Sequence, residues 1–372
     1  MYRIISLVQI LIIAFLFTPK TVWGSINFRD GVFSELATSG RALALGNAYI
    51  AKVDDASAAF YNPAGLGTVR YSHFHLSNIH LEVNKDWIDL GTGGSLTDAF
   101  GNFSKGFKLS GTQELLKNHP GSFSNSRFHL MPNFTTRYFS AGYLYSSQTR
   151  GAFGNQAGAQ FEYAKRTDSG PYAAFNVSFM GGLLKFGMTG IYLTRTEAFG
   201  ESDINTTVNL EDADYKKGRS LILIGGSKFT FPVYALPTFA LKINNMATKS
   251  FNGSDGFGGA PDTIKPSVDL GFSITPQIGK TTRIHFEFNY KDFTAKYGDI
   301  ASNRRLALGM EIDFLRSLFL RFGYGDGFGS GGIGIRSRRM EFDLTTYAVD
   351  TSSSSFRGKE DRRFVFSLSS GF

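Results

Sequence analysis

Polar and apolar residues alternate along most of this chain with a period of two. The run Arg283-Ile284-His285-Phe286-Glu287-Phe288-Asn289-Tyr290 alternates without a break. Arg305-Leu306-Ala307-Leu308-Gly309-Met310-Glu311-Ile312-Asp313-Phe314 does so when Ala and Gly join the inward set, and 339–347 repeats the pattern. A strand turns successive side chains to opposite faces, so each segment has one apolar and one polar wall. Helical stripes are few. Fifteen strand candidates emerge: 71–83, 127–133, 135–147, 158–166, 171–181, 183–194, 219–230, 238–247, 265–275, 281–292, 303–314, 318–324, 330–336, 340–349 and 362–372. Single-chain bacterial barrels carry an even number. Merging 127–147, where Pro132 and Asn133 offer no good turn, gives fourteen.

A soluble sandwich alternates in the same way. Segments of 9–11 residues with an apolar outer face point instead to a transmembrane barrel. The N-terminus supports export: Arg3 precedes fourteen residues, Ile4 to Phe17, interrupted only by Ser6 and Gln9, and then comes Thr21-Val22-Trp23-Gly24. That stretch is too short for a helix to span a bilayer and reads as a signal peptide, 1–24, cut after Gly24. The last strand alternates Phe364, Phe366, Leu368 and Phe372 on one face and closes on an aromatic residue. The predicted fold is all-β: an antiparallel transmembrane barrel over 71–372, with residues 25–70 as an N-terminal hatch in its lumen.

Composition narrows the function. Charged residues are 19% of the 372, aromatic residues 15%, glycines number 43, and cysteine is absent. Without cysteine there is no disulfide scaffold, thiolate metal site or Cys nucleophile. The formal charge of +8 forms no compact basic stripe interleaved with aromatics, so nucleic acid is not an expected partner. Lys85, Lys105, Lys108 and Lys117 lie in or beside one long loop, and Arg357, Lys359, Arg362 and Arg363 cluster at another. They are solvated charges or contacts to the phosphates of lipopolysaccharide. The six histidines show no metal spacing, and no cofactor or metal is expected. His75-Leu76-Ser77-Asn78 has the His-x-Ser-Asn pattern of outer-membrane lipid hydrolases, but Glu82 cannot be placed as a third group; the chain is read as noncatalytic. Gly327-Phe328-Gly329-Ser330-Gly331-Gly332 fits a dinucleotide motif in spacing, but a strand follows it where a helix is required, so it is a hairpin turn.

The densest motif is 40–67, GRALALGNAYIAKVDDASAAFYNPAGLG. Asp54 or Asp55 is placed to cap a short helix over 56–60. Pro63 drives Asn62 out of the helical region and ends it, and Gly65 and Gly67 permit tight turns into the first strand. Arg41, Gly46, Ala48, Asp54-Asp55-Ala56 and Asn62-Pro63-Ala64-Gly65-Leu66 resemble the hatch of the FadL/TodX superfamily of outer-membrane transporters. They resemble most of all its PorV-like branch, which includes a barrel of a secretion system. The final aromatic strand resembles the signal read by the barrel insertion machinery. The resemblance implies a barrel in the outer membrane of a Gram-negative bacterium that passes hydrophobic, fatty-acid-like molecules. Its PorV-like side implies a noncatalytic role in protein secretion or surface attachment, with a secretion-system or cargo protein as partner.

Overall fold

The computed structural model describes residues 26, 28, 30, 36–70, 72–92, 105–156, 158–298, 300–337, 339–352 and 356–371. The expected signal peptide and Phe372 lie outside them. Among the described residues no helix is long and apolar enough to cross a membrane. The wall is a single antiparallel sheet. Its strands are β1 His73–Asn84, β2 Phe123–Leu130 continued as Asn133–Thr135, β3 Phe139–Phe153, β4 Phe161–Phe179, β5 Leu184–Ser202, β6 Lys216–Thr230 and β7 Thr238–Asn244. They continue with β8 Ser267–Ile274, β9 Thr282–Tyr290, β10 Leu306–Phe314, β11 Leu318–Gly325, β12 Phe328–Arg336, β13 Met340–Asp350 and β14 Glu360–Gly371. Each pairs with its sequence neighbour, and β14 pairs with β1 (His80 opposite Ser367, Asn84 opposite Arg363), which closes fourteen strands into a barrel. Closure removes the unpaired edges that hydrocarbon cannot solvate.

The expected count is right, but the strand merged to reach it is not. Residues 127–147 hold the end of β2 and the start of β3, with the turn at 136–138, where Thr136 donates its N–H to the Phe139 carbonyl (2.7 Å). Pro132 interrupts β2 without turning it, since both pieces keep one register against β3 (Leu130 opposite Tyr145, Asn133 opposite Gly142). The two candidates at 158–181 are instead the single nineteen-residue β4. Gly170-Pro171 reads as a turn in sequence. In the barrel it skips only the rungs to β5, and pairing resumes in the same register from Ser169–Thr194 to Tyr172–Ile191.

The outer face is apolar. Phe175, Met188, Phe239, Phe286, Phe322 and Leu344 are exposed there, as expected of a lipid-facing band. Phe364 and Phe366 stand on the same outer face of β14, with Leu368 half-buried. On β10 the inward set is Ala307, Gly309, Glu311 and Asp313. Only short turns join the strands at one end, while all the long segments lie at the other, beside one two-residue turn at 326–327, which is the asymmetry of periplasmic and extracellular ends. Among the described residues, the first long segment carries two helices that the sequence pattern did not reveal, α3 Lys85–Thr92 and α4 Leu109–Lys117. The cationic loop residues divide. Lys105 pairs with Glu114 (3.1 Å), and Arg362 faces outward with its guanidinium on Glu360. Arg363 points into the lumen and is 2% exposed, so it is not a lipopolysaccharide contact.

If the outer band meets hydrocarbon, Leu344→Arg near mid-strand should cost about 2–4 kcal/mol in vesicle-refolded protein followed by denaturant titration. The same change at Tyr234, in a short turn, should cost under about 0.5 kcal/mol.

Candidate functional site

About eight strands fill a barrel with their own side chains, so fourteen leave a lumen that needs other contents. Those contents are residues 36–69, nearly all buried. Two short helices, α1 Gly40–Ala44 and α2 Ala58–Tyr61, and a 3-10 turn, Pro63–Thr68, form the described segment. None is long enough to hold itself together in isolation, so the wall must supply the order.

The lumen has two unlike sides. On β3 to β6 the inner wall carries an apolar belt: Leu144, Tyr172, Ile191, Leu193, Ile222 and Ile224 pack on Leu36, Phe60, Tyr61 and Leu66 of the hatch, flanked by the buried Arg195–Asp168 pair and by Lys185 and Lys228. On β9 to β13 it is charged. Glu311 of β10 accepts both Nε and Nη2 of Arg41 at 2.7 Å, while Arg41 Nη1 reaches Asp54 at 2.7 Å. Arg321 of β11 donates to Glu311 (2.9 Å) and to Asp343. The Arg41 guanidinium also lies over the Tyr49 ring (5.1 Å), whose hydroxyl donates to Asp55 (2.6 Å). Nearer the extracellular end, Asp30 accepts from Arg150 (2.5 Å) and Arg363 (2.9 Å).

Backbone groups of the hatch are met by wall side chains, as buried amides require. Glu287 accepts from the N–H groups of Ala51 (2.7 Å) and Lys52 (2.9 Å). Thr345, Ser330, Thr189 and Asn176 donate to the carbonyls of Gly40, Ala44, Ala59 and Ala64. The wall also makes room. Gly187, Gly226, Gly271, Gly309, Gly323 and Gly332 face inward on six different strands, and a Cβ on any of them would overlap a hatch atom. At Gly187 the obstruction is the Pro63–Ala64 backbone, and at Gly323 it is Leu45–Gly46.

The motif residues take definite places. Gly46 and Asn47 are consecutive left-handed residues (φ 64° each), and a Cβ on Gly46 would meet the Tyr324 backbone. Asn62 is extended (φ −165°, ψ 106°), as a residue before proline must be. Its Nδ2 donates to the carbonyls of Ile50 (2.9 Å) and Ser227 (3.3 Å), and its Oδ1 accepts from Ala64 N (3.1 Å). Gly65 lies against Val53. The expected helix cap is displaced. Asp55 accepts from Ser57 N (2.9 Å), one turn before a helix that begins at Ala58, and Asp54 serves Arg41 instead. His75 Nδ1 meets Asn133 Oδ1 (3.3 Å), and β1 bulges between His75 and Ser77. Of the run Gly327–Gly332 expected as a hairpin turn, only Gly327 turns, together with Asp326, both at positive φ, and residues 328–332 already belong to β12.

The wall partners Glu287, Glu311, Arg321 and Asp343 were not singled out in the sequence. The available signal was inward parity: charge and glycine recurring on the face that would otherwise carry small polar residues. Among the described residues no group of His, Asp or Glu is arranged to hold a metal.

A closed fourteen-strand antiparallel barrel of the outer-membrane kind, with residues 36–69 packed inside the wall, is the class that this geometry defines. No protein-family model matches the chain. No curated protein matches it in sequence. Solved structures do. The monoaromatic hydrocarbon channel CymD aligns over 91% of this chain and 99% of its own at 9% identity, with a TM-score of 0.51. A TodX monoaromatic hydrocarbon channel variant aligns over 90% and 99% at 10% identity, with a TM-score of 0.50. The toluene transporter TbuX of Ralstonia pickettii aligns over 91% and 100% at 10% identity, with a TM-score of 0.49. The first two of these likenesses show that the chain has the FadL/TodX-type barrel fold. Nothing in these likenesses singles out the PorV-like branch.

Two outcomes test the docking of the hatch. Arg41→Met strands buried carboxylates and should weaken docking by about 3–5 kcal/mol; Arg41→Met with Glu311→Gln should cost less than half of that. Ion leak through single channels and protease cleavage within 40–69 report it, while the barrel stays heat-modifiable. Burial opposes the charges on Asp30 and Asp54, but Arg150 and Arg363 for the first, and Arg41 with Lys52 for the second, outweigh it. Both carboxyls are held well below the ordinary 3.8. A depressed carboxyl contributes stability above its unfolded value and loses it as pH falls through the folded one. Leak should be flat from pH 7 to 5 and rise only below about pH 4.

Proposed function

We propose that this protein is a noncatalytic outer-membrane channel for hydrophobic small molecules, fatty-acid-like or aromatic, with the hatch as its gate. The observation that carries the reading is the apolar half of the lumen. A wall facing a water-filled channel is polar. Here Ile222 and Ile224 of β6 face inward and meet Leu36 and Phe60 across a cleft that also touches Ile264. The cleft is about 20 Å³ in this conformation, room for a water-sized group and no more. A ligand must therefore shift the hatch along the apolar side. Structures of similar fold described as monoaromatic hydrocarbon channels support this class of substrate.

A secretion or attachment role would use the apolar wall only to pack the hatch. At the outer rim, outward cations such as Arg362 stand above Phe364 on the same strand face, which suits lipopolysaccharide as the surrounding lipid.

Mass spectrometry of protein extracted in mild detergent should find a retained hydrophobic molecule, and reconstituted vesicles should take up such a probe. Asn62→Leu leaves the Ile50 and Ser227 carbonyls unmet, at about 1–3 kcal/mol each. Barrel yield should stay normal while small polar solutes leak faster and probe uptake changes. Unaltered leak and uptake would make the hatch a filler and favour an interaction barrel.

A further inference from the structure

The cleft between hatch and β6 is lined by a residue with one polar atom that no other described residue uses. Asn245, the residue after β7, lines it and is 1% exposed. Its Nδ2 donates to the Ile264 carbonyl at 2.6 Å. That bond fixes the orientation of the amide, because the flipped form would set two oxygens against each other. Oδ1 is thereby left buried, on a residue that lines the cleft, without a partner among the described residues. A buried acceptor in this state costs about 1–3 kcal/mol. The backbone maintains it: Asn245 sits at φ 45°, a left-handed conformation that asparagine tolerates better than most residues.

The neighbouring polar groups are engaged elsewhere. Asn244 Nδ2 donates to Ser267 Oγ (3.0 Å) and Asp269 Oδ2 (3.4 Å). Lys265, at the mouth, donates to the Lys296 carbonyl (3.3 Å) and lies over the Tyr297 ring (5.6 Å). A ligand entering between Ile222, Ile224 and Phe60 thus meets apolar walls with a lone acceptor at the end near Asn245. A pure hydrocarbon leaves that acceptor unmet. A carboxylate is drawn to Lys265 at the mouth but brings only acceptors, so it cannot satisfy Oδ1 at the inner end. An ammonium must shed its water in an apolar cleft with Lys265 at the entrance. A neutral hydroxyl satisfies every condition.

We propose that Asn245 is a specificity-determining residue, and that the cleft selects small apolar molecules bearing one neutral hydroxyl, such as alkylphenols, over hydrocarbons and carboxylates of equal size. The inference rests on the channel reading above and names its substrate class. The test compares 4-ethylphenol, ethylbenzene and 4-ethylbenzoate by titration calorimetry on the detergent-solubilised full barrel and by uptake into vesicles. A hydrogen bond to an otherwise unmet acceptor should make 4-ethylphenol bind about tenfold tighter than ethylbenzene, with 4-ethylbenzoate weakest. Asn245→Gly keeps the left-handed backbone and removes the acceptor. It should bring 4-ethylphenol to parity with ethylbenzene while leaving ethylbenzene binding as it was, which also shows that the variant folds.

Parity of the two in the wild type would overturn the proposal, with Asn245 Oδ1 then holding an ordered water only. A phenol preference that survives Asn245→Gly would overturn it too. Failure of all three probes to bind or enter would instead remove the channel reading itself, and the proposal with it.

Discussion

A wall of fourteen strands encloses more space than its inward side chains fill, and that space must be occupied without stranding backbone polar groups. The solution here is one charged contact with everything else arranged around it. Arg41 lies at a junction where Glu311 takes two of its nitrogens and Asp54 a third. A buried ion pair of this kind adds little net stability relative to well-packed apolar residues, because desolvation offsets most of the Coulomb gain. What it supplies is position, since its bidentate geometry admits one orientation. With Arg41 in place, Gly46 passes Tyr324 and Leu45 meets Gly309. The N–H groups of Ala51 and Lys52 then fall on Glu287.

The fold was legible to the extent that period two dominates. Parity alone marks β9, β10 and β13 and predicts which of their residues face lipid. It fails where a local signal competes with a tertiary one. Gly170-Pro171 has the chemistry of a turn, but pairing on both sides carries β4 straight through it. The hatch motif was legible because proline and glycine act on their own neighbours, so the extended Asn62 follows from Pro63. Its wall partners were not, because the register that brings Glu311 to Arg41 is set by strand pairing around the whole barrel. The same holds for the helix cap. Asp54 and Asp55 were equivalent in sequence, and only the position of Arg41 separates them.

The unlike sides of the lumen also set where it can yield. Contacts to β9–β13 are directional, and a small displacement breaks several charge-assisted bonds together. Beside the bonds from Thr189 and Asn176, the contacts to β3–β6 around the cleft are apolar, and their energy follows buried area, about 25 cal/mol per Å². A hydrophobic molecule entering beside Phe60 replaces most of the area that its entry uncovers, so displacement on that side has a low net cost for such a molecule and a high one for water. The segment Leu221–Ile224, apolar on both faces, is where the sequence departs from barrel parity, and it is also where the cleft lies. A plug held by charge on one side and by shape on the other discriminates by solvent affinity before any ligand is recognised. Polar solutes meet satisfied hydrogen bonds on the charged side and desolvation on the other, whereas an apolar solute meets a barrier only on the charged side.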